Sequence, residues 1–292
     1  MQKLTGNRVE EKRFEIRNII MNTSSLPTLP GIITKLNALS ENDKASVQEM
    51  ARLVSSDQVL SARILKLANS PSYGFYRVST ISNAMILLGV NVVKSLALSS
   101  SIFEIMEKNS IGLWEHSLGA GVAANIIARK LKLPECDEIS TAALLHDIGK
   151  VIIRLNFGDD YRHLMELIDA KDVSLLEAEN ELLGVDHAEV GAWLAKSWHL
   201  PEKLIEPIAC HHNVGGSLSQ QVKTSVVHFA DVLIKASGFG FSGDELVPLI
   251  HPLAWEKLGM DDSTLAEIVE ELEDKLVDTK NFSLEIQTPD EE

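Results

Sequence analysis

An all-α protein, arranged as a two-part helical bundle, is what this sequence of 292 residues predicts. Three observations lead there. Nearly every segment repeats its apolar residues with helical period, almost none alternates strictly, and the Pro, Gly, Asn and Asp breakers fall between periodic segments.

The elements follow in order. A short N-terminal helix ends before S-L-P-T-L-P-G, where Pro27 and Pro30 punctuate a loop. Ile32, Ile33, Leu36 and Leu39 mark one amphipathic helix, and Val47, Met50, Ala51 and Val54 mark another. Leu60, Ile64 and Leu67 share a face that Asn69-Ser70-Pro71 stops. Helices over 81–88 and 92–105 are separated by Gly89, a natural C-terminal stop. The pattern lapses around Lys108–Gly112, which sets a subdomain boundary. Beyond it, a long helix covers 116–131, a turn 134–137 and one continuous helix 139–153. Helices over 161–168 and 175–183 follow. Asp186, with Glu189 three residues on, reads as the N-cap of a helix carrying Val190, Leu194 and Trp198. A helix over 201–212 meets the breaker cluster Asn213-Val214-Gly215-Gly216, and helices over 222–236 and 265–276 complete the chain. The organisation is therefore an N-terminal helix (1–25), a first helical subdomain (26–110), a second (111–278) and a polar tail (279–292).

Composition bounds the function. Hydrophobic content of 45% and charged content of 24% are those of an ordinary soluble domain, and the 5% aromatic share makes the core aliphatic. No apolar stretch reaches membrane-spanning length, and the N-terminus, M-Q-K-L-T-G-N-R-V-E-E-K-R, lacks a signal-peptide core, so a cytoplasmic protein without a membrane partner is expected. Net charge is −15, from 27 basic and 42 acidic residues. That repels a phosphate backbone and argues against nucleic acid as partner, while leaving room for a small phosphorylated ligand at a local positive site. Two cysteines, Cys136 and Cys210, form no disulfide framework and no CxxC pair, and read as structural thiols.

The chemistry-bearing residues lie in the second half. The run A-A-L-L-H-D-I-G-K carries an apolar helix face straight into His146 and Asp147, with Lys150 close behind. His116, His187, His211, His212 and Asp231 each fall on or at the end of a separate expected helix, the adjacent pair apart. Imidazole with carboxylate suits zinc, iron, manganese or nickel better than the oxygen cages of calcium, and a carboxylate can bridge two ions where an imidazole cannot. Any one such His is more commonly hydrogen-bonded core filling. His163, His199 and His251 show no pairing and read as surface or packing residues, and His228 as core with a secondary option beside Asp231.

The ordered series H…HD…H…HH…D resembles the HD superfamily of metal-dependent phosphohydrolases, and its spacing is similar to the HD-GYP phosphodiesterases of cyclic dinucleotides. Three stretches of the first half, S-L-P-T-L-P-G-I-I-T-K-L, S-S-D-Q-V-L-S-A-R-I-L-K-L-A-N-S-P-S-Y-G and I-S-N-A-M-I-L-L-G, resemble the N-terminal part of the HDOD domain, an all-helical output domain of bacterial signal transduction. The resemblance makes 26–110 the HDOD N-terminal subdomain and 111–278 an HD-like, phosphohydrolase-like bundle. It implies two divalent ions (Fe, Mn, Zn or Ni) held by His116, His146, Asp147, His187, His211, His212 and Asp231, with Asp147 bridging. His116 and Asp231 would complete one ion's shell, and His187, His211 and His212 the other's. Asp147 and Lys150 are then the candidate catalytic residues, Lys150 steadying a phosphate.

Two departures narrow what is implied. The D-G-x-G-Y-P run of HD-GYP enzymes is replaced after His212 by N-V-G-G-S-L-S-Q, so the motif that recognises cyclic di-GMP is missing. Gly112 stands where some of those enzymes place a Glu for a third metal, so a third metal is not supported. The expected function is a signal-transduction output module with a dinuclear site, taking metal and a phosphorylated or nucleotide ligand and working with a signalling protein partner. The alternative is an active phosphohydrolase or phosphodiesterase using a bridging hydroxide. A metal-free scaffold is disfavoured by the complete ligand set.

Overall fold

The computed structural model describes residues 6–22, 46–56, 78–88, 112–198 and 200–287, with isolated positions at 35, 36, 39, 61, 64, 65 and 93. The expected loop at Pro27–Pro30, the stop at Asn69–Pro71, most of the 108–112 boundary and His199 lie outside these residues, as do Ile32 and Ile33 of the helix marked by Ile32 to Leu39 and all but Val93 of the helix over 92–105. Among the described residues all regular structure is helical and there is no strand. No helix among them is long and apolar enough to cross a membrane.

The helices are α1 (Gly6–Asn22), α2 (Val47–Ser55), α3 (Ile81–Leu88), α4 (Leu113–Lys130), α5 (Cys136–Leu145), α6 (Ile148–Asn156), α7 (Gly158–Lys171), α8 (Leu175–Leu182), α9 (His187–Ser197), α10 (Glu202–Cys210), α11 (Gln221–Ser237), α12 (Pro252–Leu258) and α13 (Asp262–Gln287). Local chemistry fixes several of their starts. Ser46 and Glu49 form a reciprocal capping box on α2, and Ser174 and Glu177 do the same on α8. The Asp186 side chain accepts from the Glu189 amide at 2.9 Å to open α9. Glu189 itself turns away to pair with Arg13 of α1.

Three boundaries differ from the sequence reading. The helix expected over 139–153 is two helices, because the chain breaks at His146 and Asp147. Asp147 leaves helical geometry (φ −96°, ψ 6°) and α6 restarts at Ile148. Short α12, opened by His251, has too few turns to show a period. The last helix continues to Gln287, into the stretch read as polar tail, and Thr279 is buried.

Two aliphatic cores organise these helices. One gathers Ile16 and Ile20 (α1), Val54 (α2) and Met85 (α3) with Ile152 (α6), Leu167 (α7), Leu194 (α9) and Ile208 (α10). The other gathers Ala124 and Ile127 (α4), Ala143 (α5), Phe229 (α11), Leu258 (α12) and Ile268 (α13). Small residues let α4 and α5 pack closely, and Ser140 Oγ donates to Gly121 O at 2.8 Å across that seam. Burying apolar area at about 25 cal/mol per Å² is what holds such a bundle. Helix α1 adds a surface clamp: Arg13 donates to Gly184 O, and Arg13 and Arg17 lie 5.7 and 5.8 Å from the Trp193 ring of α9.

Candidate metal centre

The break between α5 and α6 has a chemical result. A continuous helix would set His146 and Asp147 about 100° apart. Here both point into one buried cluster, where His146 Nε2 lies 3.3 Å from Asp147 Oδ2. Helix α4 brings His116, whose Nε2 is 3.4 Å from Asp147 Oδ2 and 3.0 Å from Asp231 Oδ1 of α11. The start of α9 brings His187, with Nε2 3.3 Å from Asp147 Oδ1. The end of α10 brings His211, 3.9 Å from the same oxygen, and His212, whose Nε2 is 2.8 Å from His187 Nε2. All seven residues singled out in the sequence as ligands therefore meet in one place. All are buried except His212, which is half-buried.

The cluster divides in two. The ligand atoms of His116, His146 and Asp231 lie within 4.8 Å of one another, and so do those of His187, His211 and His212. A third such group, His146, Asp147 and His211, joins them. Asp147 offers Oδ2 to the first group and Oδ1 to the second.

Three imidazoles are held in one tautomer by what they touch outside the cluster. His146 Nδ1 is 2.6 Å from Ala143 O and His211 Nδ1 is 2.8 Å from Ile208 O. A carbonyl can only accept, so each Nδ1 carries the proton and each neutral ring turns its Nε2 lone pair inward. His187 Nδ1 donates to Glu179 Oε2 at 2.6 Å, and the same oxygen accepts from the His187 amide at 2.9 Å. Such carboxylate and carbonyl partners orient metal-ligating histidines. His228, read as core, is buried and donates from Nδ1 to His211 O at 2.8 Å, while its Nε2 accepts from the His251 amide at 2.9 Å. It thereby anchors the backbone of the histidine pair. His163 is exposed, and His251 accepts from the Leu253 amide to cap α12. Cys136 and Cys210 are both free and half-buried, and neither belongs to a ligand group among the described residues.

These residues fit a metal. His211 Nε2 is buried without a hydrogen-bond partner, and Asp147 Oδ1 and Asp231 Oδ1, buried beside it, face imidazole nitrogens at 3.0–3.9 Å. Leaving a buried acceptor unmet costs about 1–3 kcal/mol, more for a charged one. Cations of the zinc or iron class, taking N and O donors at about 2.1 Å, would satisfy all three. Burial, reinforced by neighbouring imidazoles, holds His211 and His212 well below the usual histidine range, so both offer neutral ligand atoms. Burial opposes charge on His146, but Asp147 and Asp231 outweigh it and raise its pKa to about 10. His187 is raised to about 9, burial being outweighed chiefly by Glu179.

Lys150, one turn into α6, is buried and places Nζ 2.6 Å from Asp147 Oδ2. Burial disfavours its charge, but Asp147 outweighs burial and keeps it protonated. Gly112 is held at φ +82°, and a Cβ there would lie 2.9 Å from Phe241 N and Cβ. The position expected to lack a third-metal ligand thus has no room for any side chain.

Glu179 is the participant that the sequence did not mark. It sits in L-L-E-A-E-N-E-L, where Glu177, Glu179 and Glu181 are equivalent by composition. Only burial, at 1% exposure, tells it apart. Glu179→Gln keeps the shape and removes the charge behind His187. Affinity for any ion held by His187, His211 and His212 should fall about 10–100-fold. Metal titration with a competing chelator reads this, and an unchanged isotherm would remove Glu179 from the site.

Known proteins agree with this architecture. The sequence profile of the HDOD domain matches residues 26–214. An HDOD domain protein of unknown function from Geobacter sulfurreducens is 30% identical and superposes with a TM-score of 0.77, covering 94% of this chain and 97% of that one. Two further structures share the fold alone. An inferred phosphohydrolase from Shewanella amazonensis SB2B is 24% identical with a TM-score of 0.65, over 90% of this chain and 97% of that one. An inferred signal transduction protein from Marinobacter aquaeolei VT8 is 18% identical with a TM-score of 0.75, over 94% of this chain and 65% of that one. An uncharacterized protein of Treponema pallidum (strain Nichols) is 26% identical over 220 residues, which are 72% of this chain and 42% of that protein. The chain thus spans less than half the length of that curated relative. With the profile covering well over half of its residues and its helices superposing on a solved member, the chain belongs to the HDOD domain family.

Proposed function

We propose that this protein is a signal-transduction output module whose buried cluster holds two divalent ions and, beside them, a phosphorylated ligand. The observation that carries the reading is the convergence of seven candidate ligand residues on one buried cluster, with His211 Nε2 left without a hydrogen-bond partner inside it. His116, His146 and Asp231 would hold one ion, His187, His211 and His212 the other, and Asp147 both. Bound there, ions of the Fe, Mn, Zn or Ni class would supply Lewis acidity for a phosphoryl oxygen and acidify water. Asp147 sets the spacing of the two groups, and Glu179 and the Ala143 and Ile208 carbonyls hold their rings in register. Lys150, kept charged, presents a fixed cation to a phosphate oxygen.

A second reading, turnover of that phosphoester, is favoured by the position of Lys150 at the border between the cluster and an adjoining cavity. Reconstitution with each candidate metal, elemental analysis, and assay of a generic phosphodiester against Asp147→Asn separate the readings. Bound metal without Asp147-dependent turnover supports the module. Asp147-dependent turnover supports the enzyme. Absence of bound metal at neutral pH ends both.

Metal uptake should release protons. In the ion-free protein, His146 (about 10) and His187 (about 9) are protonated at pH 7, and ligation requires them neutral at Nε2. Loading at pH 7 should therefore expel about two protons per chain. The number falls toward zero as pH passes 9 and then 10, and apparent affinity rises over the same window. Titration in weakly buffered solution measures it; pH-independent affinity between 6 and 9 would show that His146 and His187 are not charged in the ion-free protein.

A further inference from the structure

Beside the metal cluster lies a cavity of about 350 Å³, lined by Leu113, Lys150, Arg154, Tyr161, Leu175, Phe241, Ser242 and Gly243. Its lining joins α4, α6, α7, α8 and the loop after α11. Lys150 lines this cavity while its Nζ contacts Asp147, so the space adjoins the candidate metal centre. Arg154, one turn after Lys150, places its guanidinium carbon 5.4 Å from the centre of the Tyr161 ring. Ser242 is 3% exposed, and its hydroxyl is buried with no hydrogen-bond partner. Leu113 is the first residue of α4, and its N-cap, Gly112, has no side chain to offer the helix's leading amides. The positive end of an 18-residue helix therefore lies at the edge of the same space.

The loop carrying Ser242 is pinned. Phe241 N donates to Gly112 O at 2.9 Å. Asp244, buried, accepts from the Leu175 amide at 3.0 Å, from Lys235 Nζ at 2.9 Å and from the Leu246 amide at 2.9 Å. Ser242 is thus held in a fixed position on the wall.

We propose that this cavity binds a phosphomonoester carrying a flat ring, of the class and size of a nucleoside monophosphate. The inference rests on the reading that the site takes a phosphorylated ligand, and it names which one. Arg154 and Lys150, the latter shared with Asp147, in a protein of net charge −15, select an anion. Tyr161 and Phe241 supply aromatic surface for a base, and the guanidinium over Tyr161 adds a flat cation. The volume is near the lower end for small-molecule pockets, which run about 300–1,000 Å³. It suits one nucleotide better than a cyclic dinucleotide. Arg154, Ser242 and the two rings are here specificity residues, distinct from the metal ligands.

The test is isothermal titration of AMP, GMP, cyclic di-GMP and inorganic phosphate into metal-loaded and metal-free protein. Wild type, Arg154→Ala and Ser242→Ala are compared, with metal content and melting temperature measured on each. The expected result is a mononucleotide that binds wild type and binds each variant at least tenfold more weakly, with metal content and melting temperature unchanged. Inorganic phosphate and cyclic di-GMP should bind more weakly than the mononucleotide. Equal mononucleotide binding by wild type and both variants overturns the pocket, as does inorganic phosphate binding as tightly as AMP. A protein that takes up no metal yet binds AMP in an Arg154-dependent way supports the pocket and ends the metal reading. Metal bound normally with no nucleotide binding ends the pocket alone.

Discussion

On the proposed dinuclear reading, replacing Asp147 by Asn should strip the protein of both ions and destabilise it by about 3–5 kcal/mol, the cost of leaving a buried cation without its partner. The carboxylate faces His116, His146, His187 and His211 at 3.3–3.9 Å and Lys150 at 2.6 Å. The amide fills the same space, keeps one neutral acceptor, and turns its donors toward imidazoles or Lys150. Because Lys150 is the stranded charge, adding Lys150→Met should return much of the lost stability and none of the metal. Elemental analysis and chemical denaturation of the single and double variants check this. An Asp147→Asn protein with two ions still bound would show that Asp147 does not join the two halves of the cluster.

The second large effect is expected at Gly149. A Cβ there would collide with His187 O and lie 2.8 Å from the Gly191 amide nitrogen. These are backbone atoms, which cannot rotate away. Gly149→Ala should force α6 and α9 apart at the point where α9 presents His187 to Asp147. Overpacking of this kind costs about 1–3 kcal/mol, and a backbone collision belongs at or above the top of that range. A melting temperature lowered by about 5–10 °C follows for a chain of this size. The ion on the His187, His211 and His212 side should be lost first. Gly158→Ala is the control, since nothing lies within 4 Å of a Cβ there. Equal stability and equal metal content in the two variants would mean that the close approach of α6 and α9 does not hold the site.

Both effects bear on how much the sequence revealed. Amphipathic helices such as α2 and α3 were legible because burial follows their period: Met50, Ala51 and Val54 are the buried residues of α2. The seven candidate ligand residues were legible as an ordered series through its resemblance to the HD superfamily, since any one buried imidazole alone reads as core filling. The break at His146–Asp147 was not legible. A-A-L-L-H-D-I-G-K-V-I-I keeps helical period across it, and only tertiary demand on Asp147 interrupts the helix. Glu179 was hidden among equivalent glutamates, and the need for Gly149 lies in a helix from another part of the chain. Arg154 and Ser242 carry no sequence signal, since the first resembles any solvated helix charge and the second any loop serine.

The two aliphatic cores carry a kinetic consequence. His116 and Asp231 stand 3.0 Å apart in space and 115 positions apart in the sequence. Closing so long a loop is slow, and no cation can reward it until both cores have consolidated the helices that bear the donors. Refolding from denaturant should then proceed at the same rate with or without chelator, and cation capture becomes the final, concentration-dependent phase.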